Sequence, residues 1–82
     1  MKYKQDREEF REEYRLLGLR IAYYRKRKGW TQEQLAEKSE CSWISIGQIE
    51  ANSGEKIHAP SLYMLFRIAK ALEVPIAKLF ED

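Results

Sequence analysis

Two stretches of this chain carry residue types that could do chemistry. The first is the run of cations Arg25-Lys26-Arg27-Lys28. Such a cluster can attract phosphate. It can equally be the solvated end of a helix, where cations complement the negative pole of the backbone dipole. The second is Trp43-Ile44, an apolar pair at the start of a helix-like run, which raises the question of what it touches. Covalent chemistry has little to work with. The chain holds one Cys, Cys41, and one His, His58, so no disulfide within the chain, no Cys/His metal site and no Ser-His-Asp centre is expected. We therefore expect neither an enzyme nor a cofactor. A lone Cys suits a reducing compartment, and a buried thiol is the plainer role for Cys41.

The elements that position these residues follow from apolar spacing. The chain has 82 residues, 44% hydrophobic and 34% charged, which suits one small globular domain. Net charge is +2, and the excess lies in residues 16–40, with six Lys and Arg against three Glu. Phe10, Tyr14, Leu17, Ile21 and Tyr24 recur at helical spacing, so residues 6–28 read as helix, either unbroken or interrupted near Leu16–Gly18, with residues 1–5 frayed. Gly29 then stops it. Thr31 can cap a second helix, with Gln34 completing a capping box, and Leu35 and Ala36 facing inward. Ser39-Glu40-Cys41 breaks that helix, and Ser42 caps a third, whose buried pair is Ile46 and Ile49. So short a break forces the sharp angle of a helix-turn-helix. Residues 51–59 read as loop. Pro60 and Ser61 open a fourth helix with an apolar stripe of Leu62, Leu65, Ile68, Ala69 and Leu72. Val74-Pro75 ends it, and residues 76–80 read as a short fifth helix burying Ile76, Leu79 and Phe80. The fold class expected is all-α, with five helices. No apolar run reaches the roughly 20 residues of a membrane span, and the charged N-terminus is unlike a signal peptide, so a cytoplasmic protein is expected.

LGLRIAYYRKRKGWTQEQLAEKSECSWISIGQIE followed by PSLYMLFRIAKALEVPIAKLF resembles the lambda repressor/Cro-like, or XRE, helix-turn-helix family. The resemblance runs from about Leu17 to Phe80. It divides the chain into residues 1–15, an N-terminal extension of the first helix, and 16–82, a DNA-binding domain with its motif at about 31–50. It implies that the third helix enters the major groove of duplex DNA, with Trp43, Ile44, Ser45 and Gln48 at base edges. It implies phosphate contacts from Gln32 and Ser42, from Asn52 and the backbone after it, and from Lys26, Lys28 and Lys56. It also implies a partly buried ion pair between Arg25 and Glu50.

The chain departs from the family pattern at Glu40, a turn position usually held by Gly, and in a longer loop before Pro60. Trp43 and Ile44 keep four readings. They contact thymine methyls; or Trp43 offers its indole N–H to a phosphate; or the pair anchors a protein partner; or Trp43 folds back over Cys41. The function expected from the resemblance is a sequence-specific, double-stranded-DNA-binding transcriptional regulator, a repressor or compact control protein. It would act as a homodimer, nucleoid-associated when on DNA, with the dimer contact from Leu79-Phe80 or the N-terminal segment. The alternative is the same fold used as a protein-interaction module, antitoxin-like or an anti-regulator.

Overall fold

The computed structural model describes residues 7–52 and 56–81. The expected fraying of residues 1–5 and the middle of the loop, 53–55, lie outside the described residues. Among the described residues four α-helices make up the fold: α1 (Arg11–Arg27), α2 (Gln32–Ser39), α3 (Trp43–Glu50) and α4 (Leu62–Leu72). A 3-10 turn at Arg7–Phe10 leads into α1, and a second, at Ile76–Leu79, follows α4. No strand occurs among the described residues.

The expected fifth helix is that second 3-10 turn. Its bonds run from the Lys78 N–H to the Pro75 carbonyl at 2.9 Å and from the Phe80 N–H to the Ala77 carbonyl at 3.0 Å. Both bonds span three residues, so the segment is a 3-10 turn and not an α-helical ladder. In a 3-10 turn positions i and i+3 eclipse. Ile76 and Leu79 therefore share a face against the core, and Phe80 is turned out to solvent.

α1 is continuous through Gly18, which settles the open question of a break. Its face of Leu17 and Ile21 enters the core, with Tyr14 and Tyr24 packed at its edge, whereas Phe10, one turn too early, is exposed. Leu35 and Ala36 of α2, Ile46 and Ile49 of α3, and Leu65, Ile68, Ala69 and Leu72 of α4 fill the centre with Leu79. Leu62 does not join them. It begins α4 where Ser61, Leu62 and Tyr63 are all exposed, a first turn that nothing covers among the described residues.

The caps explain where the helices start. The Thr31 hydroxyl accepts from the Gln34 N–H at 3.1 Å, and the Gln34 side chain accepts from the Thr31 N–H at 2.8 Å, a complete capping box. Ser42 accepts from the Ser45 N–H at 3.3 Å, and Ser61 from the Met64 N–H at 3.1 Å. Thr31→Ala removes the first of these, and a loss of about 1 kcal/mol in a urea melt is expected.

Two helices end in the left-handed backbone region on glutamates, Glu40 with φ 56° and Glu73 with φ 59°. An L side chain is disfavoured there, and each of these is latched to another helix. Glu40 pairs with Arg67 of α4, whose Nε also donates to the Ser39 carbonyl at 2.7 Å. Glu73 accepts from Lys28 at 2.6 Å, and that ammonium holds its carboxyl below the usual carboxylate range.

Candidate nucleic-acid interface

α3 is set by two anchors. The first is its apolar pair, Ile46 and Ile49, both buried. The second is a polar knot at its C-terminal end. Arg25 Nε donates to Glu50 Oε2 at 2.8 Å and Arg25 Nη2 to Oε1 at 2.9 Å, a two-pronged pair. Arg25 Nη1 donates to the Trp30 carbonyl at 2.7 Å, and Gln32 Nε2 donates to Glu50 Oε1 at 3.1 Å. The knot joins α1, the α1–α2 turn, α2 and α3. Gly18 adds a close approach: a Cβ built there would lie 2.2 Å from the Ile49 carbonyl oxygen, so the α1 backbone meets the end of α3 directly.

With those anchors fixed, the helical period of about 100° per residue decides what faces out. Ile44 lies opposite the buried pair and is 72% exposed; Trp43 beside it is 55% exposed. Cys41, just before the helix, packs beside the core with its thiol donating weakly to the Ser39 carbonyl at 3.5 Å. Gly47 flanks Trp43 on the side of Gln32. Gln48 is exposed one turn after Ile44, and Ser45 is half-buried on the other flank. There Ser45 and Gln48 line a recess of about 240 Å³ with His58, Pro60 and Ser61, and among the described residues no carboxylate lines it. α3 carries one ionisable residue, Glu50, and the knot neutralises it.

The structure thus brings together Trp43, Ile44, Ser45 and Gln48 on one edge, with Ser42 exposed at its head. It distributes the remaining residues differently. Gln32 stands at the start of α2 but is engaged by Glu50. Lys28 is exposed, donates to Glu73 at the end of α4 and sits 5.7 Å over the Trp30 ring. Asn52 is buried, and its side chain clasps the His58 backbone, accepting from the N–H at 2.7 Å and donating to the carbonyl at 2.8 Å. A buried amide must find such partners, so its side chain holds the loop rather than facing solvent. Lys26 and Lys56 are exposed. Sequence reasoning missed the half-buried position of His58 beside Gln48. The signal was Asn52, a turn residue able to pin the loop through its side chain.

A compact all-helical domain that holds out a short helix after a tight left-handed turn, braced by a buried ion pair, is a helix-turn-helix domain. Residues 21–79 match the family model described as Helix-turn-helix. The chain belongs to the lambda repressor/Cro-like, or XRE, helix-turn-helix family. It is 34% identical over 64 residues to the competence pilus inhibition repressor of Acinetobacter baylyi, covering 78% of this chain and 54% of that one. It is 31% identical over 67 residues to the HTH-type transcriptional regulator SinR of Bacillus subtilis, covering 82% and 58%. The chain therefore spans a little over half the length of these curated relatives. Among solved structures it is similar to the restriction-modification controller protein C.AhdI from Aeromonas hydrophila, with a TM-score of 0.75 at 28% identity, covering 84% of this chain and 98% of that one.

Proposed function

We propose that this protein is a sequence-specific, double-stranded-DNA-binding transcriptional regulator, a repressor or compact control protein that works on DNA in the cytoplasm. One observation carries the reading. The edge of α3 formed by Trp43, Ile44 and Gln48 is exposed, while the opposite face of the same helix is fixed by Ile46, Ile49 and the Arg25–Glu50 pair. A rigidly held helix with an unused leading edge suits entry into a major groove. The names of the relatives, a repressor, a transcriptional regulator and a restriction-modification controller, support it.

Binding of labelled duplexes, followed by fluorescence anisotropy across a salt series, tests this. Contacts to several phosphates make affinity fall steeply with salt. Gln48→Ala should narrow the gap between a selected site and random DNA, because it removes a base contact. Lys26→Ala should weaken both about equally. Equal losses on both duplexes for Gln48→Ala contradict its role. The exposed Trp43-Ile44 pair also favours a protein-binding module as the second reading. That module predicts no duplex binding, and binding to a protein partner that barely responds to salt.

The proposal includes a homodimer on two-fold related half-sites. Leu79, expected at the dimer contact, is fully buried in the core and cannot supply it, whereas Phe80 is exposed. α4 presents a further apolar face, Leu62 and Phe66 one turn apart with Tyr63 between them, all exposed. We place the seam there. Phe66→Asp should leave the fold intact and give a monomer by light scattering at concentrations where the unaltered chain is a dimer.

A further inference from the structure

We infer that the outward edge of α3 reads the C5-methyl group of a pyrimidine, so that thymine and 5-methylcytosine satisfy it while uracil and cytosine do not. This rests on the DNA-binding reading above and names what that same edge recognises.

The inference starts from what the edge lacks. Hydrogen-bond readout of guanine in the major groove depends mainly on Arg or Lys, and readout of cytosine on a carboxylate. α3 contains no basic residue. Its single carboxylate, Glu50, is closed off by Arg25 and Gln32, and Glu40 just before the helix is paired with Arg67. The position most fully presented, Ile44, has no polar side-chain atom and is 72% exposed. Among the described residues nothing in the monomer gives it a packing role, so its apolar surface is available to a ligand.

The neighbours narrow the ligand further. Trp43, Ile44, Gly47 and Gln48 form one patch, since residues three and four apart share a helix face. Gly47 contributes no side chain, and even a Cβ there would touch only the Gln32 side chain, at 3.4 Å. The centre of the patch is therefore low, and a base edge can approach the flank of Ile44. Trp43 walls one side with apolar surface, and Gln48 offers an amide one turn on. The apolar group that a base pair displays in the major groove is the pyrimidine 5-methyl. A methyl seated on Ile44 beside Trp43, with the Gln48 amide at a neighbouring base edge, uses every member of the patch.

The size of the effect follows from the area involved. Covering one methyl group is worth about fourfold in affinity, rising to about tenfold when both partners are fully dried. A duplex is first selected from a random pool with the intact protein. Each thymine is then replaced by deoxyuridine, one at a time, and affinity is measured by anisotropy. At one or two positions a loss of about four- to tenfold is expected. At those positions 5-methylcytosine, paired with guanine, should bind tighter than cytosine by a similar factor. Ile44→Ala, an exposed change whose fold is checked by circular dichroism, should bind the thymine and deoxyuridine duplexes alike. Thymine and deoxyuridine equal within about twofold at every position would overturn the inference and leave the DNA-binding reading standing. A methyl effect that persists in both Ile44→Ala and Trp43→Ala would also overturn it. A pool from which no duplex is retained overturns the DNA-binding reading and this inference together.

Discussion

Gly18→Ala should destabilise the fold by about 3 kcal/mol, although helix propensity alone predicts the opposite sign. In the interior of a helix, Ala is favoured over Gly by about 1 kcal/mol. Gly18 lies in the middle of α1, so an isolated α1 would gain from the change. In the folded chain the new Cβ would meet the Ile49 carbonyl oxygen at 2.2 Å and the Glu50 Cα at 3.2 Å. Both are backbone atoms, which cannot rotate aside as a side-chain tip can. The helices must separate, and overpacking of this kind costs about 1–3 kcal/mol or more. Parting α1 from α3 also stretches the Arg25–Glu50 bonds, which span the same two helices. A urea melt of Gly18→Ala against the unaltered chain reads the result as a lower midpoint. A raised midpoint would mean that α1 and α3 do not touch here.

Glu50→Ala should cost about 3–5 kcal/mol, the range for removing one member of a buried ion pair. Its side chain is 5% exposed and that of Arg25 10% exposed, so solvent screens the pair little. Truncation leaves the Arg25 guanidinium enclosed with one bond, to the Trp30 carbonyl, and frees Gln32 Nε2. Replacing both members by apolar residues, Arg25→Met with Glu50→Leu, should cost much less, because no charge is left stranded. Thermal melts of the two single variants and the double variant form the check. A Glu50→Ala loss below about 1 kcal/mol would place the pair with ordinary surface bridges. At temperatures where Glu50→Ala remains folded, any affinity for duplex DNA should still fall, since the brace sets the angle of α3.

Periodicity and capping chemistry are local, and they carried most of the fold. The Thr31–Gln34 box, the Ser42 cap, the inward pairs Leu35/Ala36 and Ile46/Ile49, and the stripe from Leu65 to Leu72 all lie where spacing puts them. The non-glycine turn at Glu40 was marked by the resemblance to the family, not by spacing, and it is left-handed. What escaped depends on distant neighbours. Lys28 belongs to a basic run in the sequence, but its partner Glu73 lies 45 residues away. Asn52 reads as a polar loop residue, but the His58 backbone turns it inward. Leu62 and Phe80 are apolar by type and exposed by geometry: one begins a helix that nothing covers at that point, and the other follows Leu79 around a three-residue turn. Gly18 looked like a weak point in a helix because the sequence does not show Ile49 passing over it. At the candidate interface, spacing turns Ile46 and Ile49 inward and so Trp43, Ile44 and Gln48 outward, while the bonds of Lys28 to Glu73, Gln32 to Glu50 and Asn52 to the His58 backbone required coordinates.

Glu40 and Glu73 place an unfavourable backbone and an inter-helix tie on the same residue. Glycine at either position would relax the local chain and in the same stroke release Arg67 or Lys28. The usual route to a hardier variant is therefore self-limiting in this protein. Comfort at the bend is traded against a guy-line to α1 or α4 that is open to solvent and contributes little, so the exchange should come out close to even.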